Sequence, residues 1–355
     1  MTNGIEKIDS NFIIETKIVR EGLKFFDAKN SPFTLHGIFY ENGQYARLPD
    51  SVAKSVNDGV HILSKHTAGG RVRFVTDSPY IVIKALQKGS PDMAHMPPSG
   101  QAGFDLYETV DGECVYRKSY MPAHNAVDGF EGVFDLAGGR ERIFTLNFPL
   151  YFNVKELYIG IREGSVLKKA PDYTISRPIV FYGSSITQGG CASRPGNAYQ
   201  GFLSRWYDAD FINLGFSGSA KGERAMAEYI AGLDMSAFVY DYDYNAPSPE
   251  HLLNTHDAFY KIVRAAHPTI PIVFASRPKV ALTADEKRRS EIVRATYEAA
   301  LSRGENVYHV FGSELMAVCG DEGTVDGCHP TDLGFFSMAK AFGVEFDKFI
   351  DKVKK

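Results

Sequence analysis

The chain has 355 residues, 44% of them hydrophobic, which is enough for two domains that each bury a core. Its 43 acidic residues against 39 basic ones give a formal net charge of −4, so there is no basic field to hold a nucleic-acid partner. Four cysteines are too few for a disulfide framework, and no stretch is apolar over the length that a membrane span needs.

The first twenty residues carry Glu6, Lys7, Asp9, Glu15 and Lys17, a charge density that excludes the apolar core of a signal peptide. A cytoplasmic location is expected. From there to about residue 170, strand-like runs alternate with turn signals, at 60–65, 70–76, 80–87, 103–110, 113–120, 142–147 and 154–160. That spacing predicts an all-β sandwich or jelly roll over residues 1–170. The stretch 168–172 marks the junction, and it is too short and too poor in Gly and Ser to act as a free tether. The two halves are therefore expected to pack together and share a pocket.

Residues 171–355 read differently. The run 177–183 is apolar and rich in β-branched and aromatic side chains, as a buried strand should be, and it delivers Ser184, Ser185, Ile186 and Thr187 at its end. Helical patterns at 198–207, 225–233, 251–267, 284–303 and 333–353 are separated by further strand-like runs that end in the segments 211–218 and 237–245. Strands alternating with helices imply a parallel sheet. In such sheets ligands bind beyond the carboxyl ends of the strands, where Ser185 stands.

A hydroxyl nucleophile needs a base to take its proton and a carboxylate to orient that base. Asp326-Gly327-Cys328-His329 supplies both, three residues apart on one loop. A tetrahedral intermediate also needs donors for its oxyanion. Gly218 offers a backbone N–H and Asn245 a side-chain amide.

In chain order, Ser185, Gly218, Asn245 and His329 resemble the four blocks that name the SGNH hydrolases, also called GDSL-type esterases. The resemblance runs from about Arg177 to the C-terminus. Upstream, Gly103-Phe104-Asp105-Leu106-Tyr107 resembles the Gly-x-Asp-Leu-Tyr signature of a module that precedes some of these hydrolases. Two positions depart from the pattern: Ser184 stands where an Asp is usual, and Asp243 stands where a Gly usually precedes the Asn by two.

The resemblance implies a flavodoxin-like three-layer α/β/α domain over 171–355, preceded by the β-sandwich. It implies ester hydrolysis through an acyl-enzyme, with Ser185 as nucleophile, His329 as base and Asp326 orienting it. The oxyanion would be met by the N–H groups of Ser185 and Gly218 and by the Asn245 amide. No cofactor or metal is expected. The pairing of modules is similar to that in enzymes that remove acetyl groups from carbohydrates, so an O-acetylesterase acting on saccharide or other small esters is expected; a lipase, a thioesterase or a catalytically silent sugar-binding protein are the alternatives.

Arg194, Arg277 and His95 are candidates to contact substrate, with surface salt bridges the competing expectation for the two arginines, and His95 and His124 are placed at the pocket edge. Asp241 and Asp243 lie on one face of a strand and are read as orienting the Asn245 loop by accepting backbone N–H bonds. Cys191 and Cys328 are expected near the pocket as free thiols. Cys319, Cys328 and His329 lack the spacing of a zinc site.

Overall fold

The computed structural model describes residues 16–123 and 125–354; the first fifteen residues, His124 and Lys355 lie outside them. Among the described residues, twelve strands precede residue 170: β1 Leu23–Asp27, β2 Thr34–His36, β3 Phe39–Glu41, β4 Gln44–Ala46, β5 Arg71–Thr76, β6 Tyr80–Leu86, β7 Phe104–Val110, β8 Glu113–Tyr120, β9 Phe130–Asp135, β10 Arg142–Asn147, β11 Glu156–Arg162 and β12 Leu167–Lys168. Ten of them form two antiparallel sheets, ordered β1-β11-β6-β9 and β12-β5-β10-β7-β8, with β2 added to β5, and β3 and β4 pair with each other as a separate antiparallel ribbon. Strand β10 shows why: its side chains alternate buried and half-buried, as a strand with one face on a core must. Phe74, Ile83, Phe104, Leu106, Phe144 and Ile159 fill a common apolar cluster.

The second half holds five parallel strands, β13 Ile175–Gly183, β14 Ala209–Gly215, β15 Ala237–Asp241, β16 Ile272–Ala275 and β17 Val307–Val310, in the order β14-β13-β15-β16-β17. That is the doubly wound order whose crevice opens between β13 and β15. Both faces of the second half of β13 are buried. Ile179 and Phe181 pack with Tyr199, Leu203, Phe335 and Phe342 from the helices Tyr199–Tyr207 and Asp332–Phe346. Val180 and Tyr182 pack on the other side with Met226, Leu252, Phe259 and Val293 from Arg224–Ala231, Pro249–Ala266 and Ala284–Ser302. The expected sandwich and three-layer domain are both present.

Three local expectations change. Residues 60–65, read as a strand, belong mainly to the helix Asp58–Leu63, whose Asn57 cap accepts from the Val60 N–H at 2.8 Å. A short apolar run does not separate strand from helix by periodicity. This helix and its neighbour Asp50–Val56 bury Val60 and Ala53 in the core of the second half rather than in the sandwich. Strands β1, β2 and β9 are half-buried at nearly every position, so no two-residue alternation announces them. The helical stretch 333–353 is broken into Asp332–Phe346 and Ile350–Val353. Among the described residues no helix is long and apolar enough to cross a membrane.

The halves meet through buried polar groups as well as apolar ones. Arg47, 2% exposed, donates from Nη1 to the Asn213 and Gly215 carbonyls at 2.9 and 2.8 Å. Its Nε and Nη2 reach the His66 and Leu63 carbonyls at 2.6 and 2.8 Å, and its plane lies 4.7 Å from the Phe216 ring. These acceptors are dipoles rather than a counter-charge, and burial pulls the guanidinium down to about 9. Replacing Arg47 strands four carbonyls at the end of β14 and in the first half. Arg47→Ala should cost about 3 kcal/mol or more, read by urea denaturation, and Arg47→Lys should restore little because one ammonium cannot match the planar fork.

Candidate active site

Ser185 opens the short helix Ser185–Gln188 at the end of β13. As the first helical residue it has an N–H without an acceptor in its own helix. Ser184 is the cap of that helix: it is 1% exposed and its Oγ accepts from the Ile186 N–H at 3.2 Å. The turn sits hard against β15. A Cβ on Gly183 would lie 2.0 Å from the Asp241 carbonyl and 2.1 Å from Thr187 Oγ1, so only glycine lets the two strands approach here. Thr187 Oγ1 in turn donates to Asp241 Oδ2 at 3.1 Å.

His329 arrives from a tight loop 144 residues on, and its Nε2 accepts from Ser185 Oγ at 2.9 Å. Its Nδ1–H donates to Asp326 Oδ2 at 2.7 Å. The other oxygen, Oδ1, accepts the backbone N–H groups of Cys328 and His329 at 2.9 and 2.8 Å. Gly327, at φ +81°, provides the left-handed step that turns both toward the carboxylate. Burial pushes the Asp326 carboxyl up, but these donors outweigh it and hold it at about 2. An ionised Asp326 thus fixes the imidazole tautomer that leaves Nε2 free to accept a proton.

The oxyanion candidates stand at the ends of the neighbouring strands. Gly218 has φ +64°, and a Cβ there would meet nothing within 4 Å, so backbone conformation rather than crowding calls for glycine. Among the described residues its N–H has no protein acceptor. Asn245 donates one amide hydrogen to the Phe216 carbonyl at 2.8 Å, which leaves the second free. The loop between them is pinned by Gln188, fully buried, whose Oε1 accepts from the Ser217 N–H at 3.0 Å while its Nε2 donates to the Leu150 carbonyl at 3.1 Å.

Several side chains act differently from the sequence expectation. Arg194 is drawn into the domain interface, with Nη1 donating to Asp105 Oδ2 at 2.7 Å and to the Tyr107 hydroxyl. Arg277 pairs with Asp243 at 3.2 Å and Glu286 at 3.0 Å and lies 4.2 Å from the Tyr244 ring, bracing the Asn245 loop. Both guanidiniums find fixed carboxylates first, because a buried cation must be paired. Asp241 accepts from the Thr187 side chain, and Asp243 from the side chain and the backbone N–H of Arg277, so the backbone bond expected of this pair comes from Arg277; burial pushes both above the ordinary carboxylate range. Burial also pushes the Cys191 thiol up to about 12 and Cys328 to about 11, so neither is a thiolate nucleophile on its own.

His95 crosses over from the first half and sets its ring edge-on to His329, with centroids 5.6 Å apart. With Cys191 it places three ligand-type atoms within 4.8 Å of one another. Tyr151, also from the first half, donates to the Ser185 carbonyl at 3.1 Å. The contributions of Tyr151, Gln188 and Arg47 carry no sequence signal, since each depends on a partner more than thirty residues away.

Residues 176–346 match the GDSL-like lipase/acylhydrolase family, and residues 23–167 match the N-terminal module of SGNH-hydrolase-type esterases. A Bacteroides ovatus protein described as a GDSL-like lipase is 31% identical, with a TM-score of 0.83 over 93% of this chain and 98% of its own. A salicylyl-acyltransferase from a tetracycline biosynthetic pathway is 20% identical, with a TM-score of 0.77 over 93% of this chain and 98% of its own. An acetyl xylan esterase from the rumen bacterium Butyrivibrio proteoclasticus is 14% identical, with a TM-score of 0.60 over 92% and 99%. A search of curated proteins found no match. Fold and site together define a carboxylic ester hydrolase. The chain belongs to the GDSL-like, SGNH-type family of lipases and acylhydrolases.

The geometry separates the two adjacent serines. Ser184→Ala should cost about 1 kcal/mol of stability as a lost cap and keep most turnover, whereas Ser185→Ala should lose on the order of a thousandfold or more. A serine-directed phosphonate should label Ser185, and labelling on Ser184 would reverse the assignment. Combining Ser185→Ala with His329→Ala should lose little beyond either change alone, as groups acting as one unit do.

Proposed function

We propose that the protein is an O-acetylesterase that removes small acyl groups, acetyl first, from carbohydrate or similar alcohols. His329 Nε2 takes the Ser185 proton as Oγ attacks the ester carbonyl, and Asp326 stabilises the imidazolium without being protonated itself. The N–H groups of Ser185 and Gly218 and the free Asn245 amide hydrogen meet the oxyanion. The same histidine then protonates the leaving alcohol, and water repeats the sequence in reverse roles to free the acid. No step asks for a metal.

The observation that carries the chemistry is the continuous hydrogen-bonded chain from Ser185 Oγ through His329 to a carboxyl held at about 2. Two points support a small acyl group and a sugar alcohol. Ser185 is only 8% exposed, which favours a two-carbon acyl group over a long chain at Oγ. The two-part fold is shared with carbohydrate esterases, including one from Cellvibrio japonicus at a TM-score of 0.59, although at 12% identity this speaks for architecture alone.

A series of nitrophenyl esters followed by acetylated oligosaccharides tests the reading. Acetate should be turned over at least about tenfold faster than octanoate, as kcat/KM, and acetylated sugars should release acetate. Faster turnover with longer chains would make the protein a lipase. Asn245→Ala should lower kcat roughly a hundredfold with little change in KM, the size expected of a lost oxyanion donor; an unchanged kcat would remove Asn245 from the site.

A further inference from the structure

We propose that His95, Cys191 and His329 form a binding site for a thiophilic divalent cation, zinc above all, and that a cation held there reversibly switches the esterase off. The inhibitory half of this rests on reading His329 as the catalytic base; the binding half does not.

The three ligand atoms come from separate places in the chain. His95 lies in the loop before Gly103 in the first half, Cys191 in the loop after the Ser185 helix, and His329 on the closing turn. Their ligand atoms lie within 4.8 Å of one another. A tetrahedral zinc with bonds of about 2.1 Å to nitrogen and 2.3 Å to sulfur holds its ligand atoms roughly 3.3 to 3.7 Å apart. The group has to contract by about 1 to 1.5 Å at most. His95 is exposed and can make that movement, while the other two are held.

Cys191 is 5% exposed and has a φ of +76°, a left-handed conformation that non-glycine residues seldom keep without a local reason. His329 is held through Nδ1 by Asp326, so Nε2 is the nitrogen it can offer a metal. A carboxylate behind a ligating imidazole is the arrangement that orients histidine on zinc and raises its basicity. One sulfur and two imidazole nitrogens select zinc, cobalt or cadmium over magnesium and calcium, which prefer oxygen.

On binding, the Cys191 thiol gives its proton to solvent as the sulfur–metal bond forms, and the two imidazoles coordinate as neutral ligands. The lone pair on His329 Nε2 that accepts the Ser185 proton is then occupied. Turnover stops until the metal leaves. Of the zinc candidates weighed from sequence, Cys319, Cys328 and His329, only His329 belongs to the group, which His95 completes from the other half.

The test uses the full chain stripped with EDTA. Zinc chloride should abolish ester hydrolysis and EDTA should restore it, while magnesium chloride should have no effect. Cys191→Ala should hydrolyse esters as the parent does but require on the order of tenfold or more zinc for the same inhibition; Cys191→Ser serves if the alanine variant does not fold. Cobalt chloride should give a thiolate-to-cobalt charge-transfer absorption in the parent that is lost in Cys191→Ala, a readout that needs no activity. His95→Ala should weaken both zinc inhibition and cobalt binding. Equal zinc sensitivity of parent and Cys191→Ala, absence of the cobalt band, or activation by zinc would overturn the proposal.

Discussion

Asp105 is a carboxylate with no exposed surface, and a buried charge must be met by donors or it is not kept. Asn147 of its own sheet donates at 2.7 Å, and the remaining partners come from the other half: Arg194 Nη1 at 2.7 Å and the Gly196 N–H at 2.9 Å. The loop that follows the nucleophile is therefore held by the first half. From that loop Ser193 and Asn197 donate to Asp332, at 2.8 Å from the Ser193 N–H and 2.7 Å from Asn197 Nδ2. Asp332 begins the helix immediately after His329. A single buried carboxylate thus anchors a polar path from the sandwich, through the loop after the nucleophile, to the helix that follows the loop of His329.

A second brace comes from the opposite side. Arg47 grips the end of β14 through the Asn213 and Gly215 carbonyls, and Gln188 ties Leu150 to the Ser217 N–H beside Gly218. Tyr151 reaches the Ser185 carbonyl itself. Oxyanion donors work because they are in place before charge develops, so a loop that drifts loses its value. The loops that carry Ser185 and Gly218 are each fastened to the first half. The sandwich is in this sense part of the scaffold of the site, and its contact with the catalytic half follows from where the polar groups find partners.

What could be read from sequence follows the range of each interaction. Asp326 and His329 are three residues apart and their hydrogen bonds close within one turn, so the motif carries its own geometry. The β13 strand and the long helices announce themselves by burial on both faces or by period. Asp105 could be recognised as part of a signature, but its partners are 89 and 91 residues away, and nothing local says that Arg194 would be spent on it rather than on substrate. Arg277 fails for the same reason, drawn to Asp243 34 residues away. Long cationic side chains are the hardest to place from sequence, since they take the strongest buried anion within reach.

The two departures from the family pattern acquire a physical meaning at this point. What the residue before the nucleophile must do here is accept the Ile186 N–H at the start of a helix, and serine ranks with aspartate as an N-cap. Exchanging one for the other alters charge near the turn but keeps the hydrogen bond that sets the direction of Ser185. At the asparagine block, Asp243 begins a 3-10 turn with an ordinary negative φ, so the freedom of glycine is not needed there. Its side chain instead meets Arg277, and the Asp243 and Ala246 carbonyls accept from Arg289 Nη1 at 3.2 and 2.7 Å. The loop that elsewhere uses a glycine is here held by two arginines from outside it. Asn245 keeps its bond to the Phe216 carbonyl because the fold replaced a conformational permission with a pair of fixed contacts.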